Sequence, residues 1–324
     1  MPPILEVDDL KLHYLTRFGS KIHSVDGVSF SLEKGEILGI AGESGCGKTT
    51  LVSGLMSLLI PPLHLTSGEV RIEGQNILGL SPDEARRTVL GQQVAMIPQG
   101  ALNSLNPTCK IKDLAADVIL SHDANADRKA IHDRLRERFT RIGLDADTVL
   151  NSYPVQLPAG TKQRVVIGIS TLLNPKIVIA DEPSSALDVS TQKAVIRLLF
   201  DLLDEGIVSS MIFITHELPL LRHVSNRIAV MYAGQIVELG MTEQVIFDGH
   251  HPYTRALMGS MLSAEPGQKA RKPVAIEGAP PYLGDDLQGC RFAPRCPVAQ
   301  PDCAQREQVI RTVQNRLVRC HHAD

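Results

Sequence analysis

Long hydrophobic runs are missing from this sequence of 324 residues. No stretch approaches the roughly 18–20 consecutive apolar residues that a membrane-spanning helix requires, because the longest candidate, 40–60, is interrupted by Glu43, Lys48 and several glycines. The N-terminal residues also lack the basic-then-apolar layout of a signal peptide. A basic excess is missing too, since 33 lysines and arginines face 36 acidic residues for a net charge of −3. We therefore expect a soluble, cytosolic protein without a nucleic acid partner, although docking on a membrane protein stays open.

Hydrophobic patterning predicts an α/β protein. Hydrophobic residues make up 43% of the chain and charged residues 21%, which is typical of a folded globular protein. Short apolar or alternating runs predict strands at 4–15, 25–32, 36–41, 70–72, 94–97, 177–180, 211–215, 227–232 and 235–238. Helices are predicted at 49–59, at 131–142 within a helical region from 108 to 150, and at 191–203. A run rich in Pro, Gly and charge at 265–273 indicates a linker into a small C-terminal tail.

A glycine-rich motif follows the third predicted strand and leads into the first predicted helix. The motif fits G-x-x-x-x-G-K-[ST] and consists of Gly42, Glu43, Ser44, Gly45, Cys46, Gly47, Lys48 and Thr49, followed by Thr50. Its glycines let backbone N–H groups turn inward around a β-phosphate, and the following helix adds its positive N-terminal end. In such a loop Lys48 bridges the β- and γ-phosphates, and the Thr49 hydroxyl ligates Mg²⁺. The motif therefore predicts a site for ATP and Mg²⁺.

A second motif places two acids at the end of a hydrophobic strand. The segment 177–183 reads Ile-Val-Ile-Ala-Asp-Glu-Pro and ends in Asp181 and Glu182. A carboxylate at the tip of a buried strand beside a phosphate loop can hold the Mg²⁺ shell, which is the role expected of Asp181. Glu182 lies one residue farther along and is expected to orient and deprotonate the attacking water. Asp-Glu after a strand is often only a helix-start signal, and the complete phosphate loop weakens that alternative.

In this order and spacing, the motifs resemble those of the ATP-binding cassette (ABC) ATPases over nearly the whole chain. The resemblance implies that Gln99 is the Q-loop glutamine, which contacts Mg²⁺ or water and the transmembrane partner. It also implies that Asp188 closes the D-loop, which is 185–188, and that His216 is the switch histidine contacting the γ-phosphate. Tyr14 is similar to the aromatic residue that stacks on adenine, and a core strand residue is an equal alternative.

Segments outside the nucleotide motifs resemble the ATPases of dipeptide, oligopeptide and nickel importers. They are 99–107 (QGALNSLNP), 153–154 (YP), 251–257 (HPYTRAL) and 289–297 (GCRFAPRCP). This resemblance implies a prokaryotic importer in which two ATPases at the cytoplasmic face of the membrane drive two transmembrane permease subunits. An extracytoplasmic solute-binding protein delivers the cargo, with peptide expected first and nickel or oligosaccharide left open. The alternatives are a soluble ABC ATPase acting in DNA repair or translation and a regulatory subunit with weak catalysis.

The signature segment departs from the family pattern L-S-G-G-x-x-Q-R. It consists of Leu157, Pro158, Ala159, Gly160, Thr161, Lys162, Gln163 and Arg164. In the family this segment caps the γ-phosphate bound by the opposite subunit, but Pro158 has neither a hydroxyl nor an N–H donor and Ala159 adds a Cβ. We therefore expect an asymmetric heterodimer with a second ABC ATPase, which supplies an intact signature. The alternative is that Pro158 is tolerated in the first helical turn and both sites work.

The C-terminal tail concentrates the cysteines. Cys46 and Cys109 are isolated and taken as incidental, whereas Cys290, Cys296, Cys303 and Cys320 crowd together and indicate a metal site in a cytosolic protein. Structural zinc sites favour C-x2–4-C pairs, which are absent here, so the wider spacing with Pro297 after a ligand fits a [4Fe–4S] cluster better. The importer resemblance also implies a cluster. Zinc is the alternative, and His321 and His322 leave a mixed ligand set open. Nearby arginines (Arg291, Arg295 and Arg319) are expected to offset the cluster's charge.

The resemblance implies the fold and its division. The expected fold is the α/β P-loop ABC ATPase, with a RecA-like core, an antiparallel β subdomain and a helical subdomain. A nucleotide-binding domain is predicted at 1–260, with the helical subdomain inserted at about 100–165. A C-terminal extension at 261–324 is expected to carry the four-cysteine site.

Overall fold

The computed structural model describes residues 2–100, 103–185, 187–260, 275–285 and 287–323. The chain divides into two compact units, of which the first combines Met1–Leu78 with Phe213–Asp324 and the second is Gly79–Ile212. The predicted linker at 265–273 lies outside the described residues. Among the helices that are described, none has the length and apolar character needed to cross a bilayer.

The strands and helices are numbered in chain order. The strands are β1 (Leu5–Leu15), β2 (Lys21–Leu32), β3 (Ile37–Ala41), β4 (Leu63–Ile72), β5 (Gln75–Asn76), β6 (Val94–Ile97), β7 (Ile177–Asp181), β8 (Ser210–Ile214), β9 (Arg227–Tyr232), β10 (Gln235–Met241), β11 (Arg311–Val313) and β12 (Arg316–Val318). The helices are α1 (Lys48–Leu55), α2 (Pro82–Thr88), α3 (Ile111–Leu120), α4 (Arg128–Arg141), α5 (Ala146–Asn151), α6 (Ala159–Ser170), α7 (Val189–Asp204), α8 (Leu218–Val224), α9 (Thr242–Phe247) and α10 (Pro252–Gly259).

The first unit contains an antiparallel sheet in the order β2-β1-β4-β5. The alternation predicted for 4–15 buries Leu5, Val7, Leu10 and Leu12, with register shifts where the strand bends. Period-two alternation with one face buried is the pattern of an antiparallel sheet that is packed on one side. The predicted strands at 4–15, 25–32 and 70–72 are therefore confirmed, the last two as parts of longer strands.

The first unit also contains a run of paired strands in the order β11-β12-β10-β9-β3. β3 pairs with β9 in parallel, and the remaining pairs are antiparallel. The strands predicted at 227–232 and 235–238 are confirmed and form a hairpin, with Ala233 and Gly234 at its turn in left-handed conformations. The pairing of the C-terminal hairpin with β10 was not predicted. It makes the cysteine-bearing tail continuous with the sheet whose strand β3 leads into the phosphate loop.

The helix predicted at 49–59 ends earlier than expected, at Leu55. Ser57 takes a left-handed φ of 56°. Its hydroxyl donates to the carbonyl oxygen of Ile77 over 2.8 Å, so a tertiary contact replaces the continuation of the helix.

The second unit pairs β6 and β7 in parallel and carries α2 to α7. The apolar face predicted for 131–142 is confirmed, because Ile131, Leu135 and Phe139 of α4 are buried in a core shared with α3, α5 and α6. These helices occupy the region where a helical insertion is predicted, and the domain limits at about 100–165 and 260 stay predictions.

Candidate functional site

Two glycines let the loop between β3 and α1 approach other backbone segments closely. A Cβ atom on Gly42 would lie 2.3 Å from the carbonyl oxygen of Met231. One on Gly47 would lie 2.1 Å from the carbonyl oxygen of Ser24, and the φ of Gly47 is 107°. A side chain does not fit at such distances. Gly42 and Gly47 are therefore required by packing as well as by the chemistry expected of the loop.

The ammonium group of Lys48 lies within the loop. Its Nζ donates to the carbonyl oxygens of Gly42 at 2.8 Å and Glu43 at 3.0 Å. Helix α1 begins at Lys48, so the cation and the positive end of the helix coincide. This combination is the arrangement that binds phosphate at helix N-termini. Thr49 is exposed at the start of the helix, where a hydroxyl for Mg²⁺ is expected.

Cys46 fills the interior of the loop, whereas Ser44 and Gly45 are exposed. The Cys46 side chain is 4% exposed and lies 3.6 Å from the Nζ of Lys48. Burial raises the pKa of the Cys46 thiol, although the lysine opposes that shift. The thiol therefore stays protonated and acts as a packing group, in agreement with its expected incidental role.

Tyr14 of β1 is half-buried, and its hydroxyl lies 3.3 Å from Oγ1 of Thr50 in α1. The ring is thus positioned next to the helix that follows the phosphate loop. Stacking on adenine stays a prediction.

The acidic strand end lies in the second unit. Asp181 is the last residue of β7 and is buried, and Glu182 follows it with a left-handed φ of 48°. Such a conformation costs a non-glycine residue on the order of 1–3 kcal/mol and is concentrated at functional sites. Gln99 Nε2 donates to Glu182 Oε2 over 2.9 Å. The structure thus brings together two of the three residues predicted to be catalytic.

The third of these residues, His216, lies in the first unit, directly after β8. Its side chain is exposed, while the preceding Thr215 is buried. The Thr215 hydroxyl oxygen accepts from the backbone N–H of Glu217 at 3.0 Å, which fixes the turn before α8. The turn holds His216 at the surface, and its contact with a γ-phosphate stays a prediction.

Asp188 caps the N-terminus of α7. Its carboxylate accepts hydrogen bonds from the backbone N–H groups and hydroxyls of Ser190 and Thr191. These bonds hold the pKa of Asp188 well below its usual range, with the two hydroxyls as the main cause. The D-loop residue is therefore ionised and held by its own helix, and Ala186 of the same loop lies outside the described residues.

The altered signature segment begins helix α6. Pro158 is the N-cap residue, and no side chain caps this helix. In the same segment, Leu157 is half-exposed and Gln163 is buried. A Cβ on Gly160 would lie 2.8 Å from a methyl group of Thr191, so this glycine allows close packing against α7. With Pro158 at its N-cap, the start of α6 offers neither a side-chain hydroxyl nor a backbone N–H at this position.

The four tail cysteines line one cavity, which has a volume of about 30 Å³. His251, Phe292 and His322 also line it, and all four thiols are free. Side-chain atoms of Asp302, Cys303 and His322 lie within 4.8 Å of one another. The four cysteines thus lie around one space, and their use as a metal site stays a prediction.

Burial disfavours the ionised form of three thiols in this cavity, those of Cys290, Cys296 and Cys320. Burial raises the pKa of the Cys290 thiol to about 11, and Cys303 and Cys320 add to the effect. Burial likewise raises the pKa of Cys296. Ionising these thiols together without a positive charge is unfavourable, and a metal would supply that charge. Among the described residues, the group with ligand atoms close enough to share one ion is Asp302, Cys303 and His322.

The three arginines expected to offset charge at the cysteines form ion pairs or hydrogen bonds with other groups. Arg295 pairs with Glu43 of the phosphate loop, and Arg291 pairs with Asp26. Arg319 donates to backbone carbonyl oxygens. The offset of charge at the cysteines by these arginines stays a prediction. Arg295 lies within 289–297, one of the segments that resemble the importer ATPases. Nothing in the sequence indicates that its partner is Glu43.

Comparison with known proteins places these features in a family. The ABC transporter family matches residues 25–185, and the oligopeptide/dipeptide transporter C-terminal region matches residues 237–303. The dipeptide transport ATP-binding protein DppD of Caldanaerobacter subterraneus is 36% identical over 99% of this chain and 97% of its own. This chain belongs to the ABC transporter ATP-binding proteins.

Two further relatives agree with this assignment. The oligopeptide transport ATP-binding protein OppF of Escherichia coli is 37% identical over 99% of this ABC ATPase and 96% of its own length. OppD of Bacillus subtilis is 39% identical over 90% of this chain and 81% of its own.

Solved structures show the same fold. The ATP-binding cassette MJ0796, in a dimeric post-hydrolysis state bound to ADP and Pi, superposes with a TM-score of 0.63. It is 24% identical and covers 74% of this chain and 98% of its own. CbiO1 of Clostridium perfringens gives a TM-score of 0.63 at 22% identity over 76% of this chain and 92% of its own. The expected ABC ATPase fold is confirmed. The chain is the ATP-hydrolysing subunit of a transporter, for which ATP and Mg²⁺ are the expected cofactors.

Proposed function

We propose that this ABC ATPase energises the import of peptides through two transmembrane permease subunits. The observation that carries the proposal is the match of residues 237–303 to the oligopeptide/dipeptide transporter C-terminal region. That segment includes most of β10, all of α9 and α10, and three of the four tail cysteines, so the likeness extends beyond the generic nucleotide motifs. The relatives named above are dipeptide and oligopeptide transport proteins, and they match nearly the full chain. The protein acts at the cytoplasmic face of the membrane, with an extracytoplasmic solute-binding protein supplying cargo.

The chemistry follows from the residues at the two motifs. Lys48 neutralises the charge of the β- and γ-phosphates, and Thr49, Asp181 and Gln99 are the residues to hold Mg²⁺, which supplies charge stabilisation to the transferring phosphoryl group. Glu182 accepts the proton of the attacking water. Its carboxylate is oriented by the hydrogen bond from Gln99. Hydrolysis then reopens the closed ATPase dimer and resets the permeases.

The test is transport by the assembled complex in lipid vesicles. The expected result is ATP-dependent accumulation of peptide that is lost with Lys48→Ala, while nickel and oligosaccharide are not accumulated. Accumulation of nickel or oligosaccharide without accumulation of peptide would reject the proposal that the cargo is peptide. Purification with a polytopic membrane partner separates an importer from a soluble ATPase, since the latter would instead carry nucleic acid or ribosomal components.

We also propose that the ATPase pair is an asymmetric heterodimer. Pro158 removes an N–H from the start of α6, and no side chain caps that helix. An anion facing this helix would therefore receive fewer donors than one facing the family's serine and glycine pattern. The intact motifs at Lys48 and Glu182 support hydrolysis at one site, which the signature of a second ABC ATPase completes.

We propose, finally, that the cysteine cavity holds a resident metal. An iron–sulfur cluster is the first candidate from the cysteine spacing, and the family resemblance implies one. Zinc is the second, because the cavity of about 30 Å³ suits one ion and Asp302 and His322 lie close to Cys303. Its function is structural, since it would join the separate turns that carry Cys290, Cys296, Cys303 and Cys320.

A further inference from the structure

Glu43, the second residue of the phosphate loop, is held at its side chain and its backbone by residues far along the chain. Nη1 and Nη2 of Arg295 donate to its two carboxylate oxygens at 2.7 Å and 3.0 Å. The backbone N–H of Glu43 donates to the hydroxyl of Tyr253 at 3.0 Å. A bidentate arginine–carboxylate pair fixes geometry as well as charge. The loop residue is thus restrained from two directions.

The Arg295 side chain is built into its position. It is only 4% exposed, and Nε donates to the carbonyl oxygen of Glu277 at 3.0 Å. Nη1 also reaches the hydroxyl of Tyr232 at 3.2 Å, and Nη2 reaches the carbonyl oxygen of Ile276 at 3.3 Å. The pairing with Glu43 is the main cause that raises the pKa of Arg295. Each guanidinium nitrogen therefore has an acceptor, and the side chain has little freedom to leave Glu43.

The same contact adjoins the cysteine cavity. Arg295 precedes Cys296, and Phe292, which lines the cavity, packs edge-on against Tyr232 and Tyr253 with 5.3 Å between ring centroids in each pair. Tyr232 and Tyr253 are themselves 4.5 Å apart. Contacting aromatic rings of this kind resist displacement because the interior is closely packed. A continuous packed path therefore leads from the cysteines to the phosphate loop.

The charge of Glu43 makes this contact consequential for nucleotide binding. A carboxylate in a loop that receives a triphosphate repels it unless the negative charge is neutralised. Arg295 supplies that neutralisation, and Tyr253 fixes the direction of the adjoining peptide group. Losing Arg295 leaves a partly buried carboxylate without its cation and the loop with one restraint fewer.

We propose that Arg295 is a positioning residue through which the cysteine-bearing extension sets the affinity of the phosphate loop for nucleotide. The inference rests on the ATP-binding role of the loop and is independent of the transported solute.

The test compares Arg295→Met with Arg311→Met in the full-length chain. Arg311 donates to the carbonyl oxygens of Cys320 and Ala323, so Arg311→Met disturbs the extension without removing a contact of Glu43 and is the matched control. Affinity is measured with a fluorescent ADP analogue and Mg²⁺, and amide hydrogen exchange of 42–49 is measured without nucleotide. Arg295→Met is expected to weaken binding about tenfold and to speed exchange, whereas Arg311→Met changes neither.

Two further variants distinguish a loss of affinity caused by the uncompensated charge of Glu43 from one caused by misfolding. The double variant Arg295→Met/Glu43→Gln is expected to recover much of the lost affinity, because the uncompensated carboxylate is gone. If Arg295→Met does not fold, Arg295→Lys gives the same comparison with a loss of about threefold, since lysine lacks the two-point geometry. Wild-type affinity and exchange in the folded arginine variants would overturn the inference. If the wild-type complex fails to transport peptide while the Arg295 variants still show the expected changes in affinity and exchange, only the proposed cargo is rejected.

Discussion

Gln99 donates a hydrogen bond from Nε2 to Oε2 of Glu182 over 2.9 Å, and Glu182 holds a left-handed backbone conformation at the same time. The hydrogen bond joins two residues separated by 83 positions in the chain. In the proposed mechanism Glu182 is the base and Gln99 orients its carboxylate.

This relationship predicts unequal effects for two substitutions. Glu182→Gln removes the base and is expected to lower kcat for ATP hydrolysis by about 10²–10⁴-fold. Gln99→Ala keeps the base but loses its orientation, so we expect a smaller loss of kcat with little change in KM for ATP. Both are measured by phosphate release from the assembled transporter. A Gln99→Ala loss confined to KM would show that the glutamine acts in binding.

The asymmetry of the heterodimer predicts a difference between subunits. Glu182→Gln should nearly abolish ATP turnover by the complex, while the equivalent change in the second ATPase should matter much less. The measurement is steady-state ATPase activity of each single variant complex and of the double variant. Equal losses from the two single changes would reject the asymmetry.

Restoring the signature tests the same proposal by gain of function. Pro158→Ser with Ala159→Gly returns a hydroxyl and an N–H to the start of α6. Activity of the complex should rise about twofold, because a second site then turns over. In this background Glu182→Gln should retain activity, since the site restored by the signature uses the partner's own base. If the signature substitutions leave the activity unchanged, both with and without Glu182→Gln, the result would indicate that Pro158 is tolerated.

The glycines of the phosphate loop predict a matched pair of stability effects. Gly47→Ala would place its Cβ 2.1 Å from the carbonyl oxygen of Ser24, whereas a Cβ on Gly45 meets no atom within 4 Å. Gly47→Ala is expected to lower the free energy of unfolding by about 3 kcal/mol or more. Gly45→Ala carries only the left-handed backbone cost of roughly 1 kcal/mol. Urea unfolding measures both, and equal losses would contradict the packing argument.

The cysteine cavity predicts metal content. Cys303→Ser should lose the bound metal, whereas Cys109→Ser, outside the cavity, should retain it. Anaerobic purification distinguishes the two candidates, because an iron–sulfur protein is brown and contains iron and sulfide, while a zinc protein is colourless. Purified wild-type protein without either metal would reject the resident-metal proposal.

Much of the fold and site was predictable because its signals are local. The phosphate loop needs eight consecutive residues, and β3, β7 and α4 show their apolar patterns within short windows. The contact of Arg295 with Glu43 joins residues 252 positions apart, so no window of sequence contains it. The strands β11 and β12 have only three residues each, too few for alternation to be recognised. Tertiary contacts also end α1 at Leu55, where local propensity alone favours a longer helix.

The short C-terminal hairpin has a consequence for the solubility of the chain. β12 hydrogen-bonds to β10 through the pairs Glu238 with Val318 and Leu239 with Leu317. A chain cut before residue 311 would leave the N–H and C=O groups of β10 open at a sheet edge, where strands from other molecules can add. Shortened forms of this protein should therefore aggregate through β10 even if their nucleotide loop folds correctly.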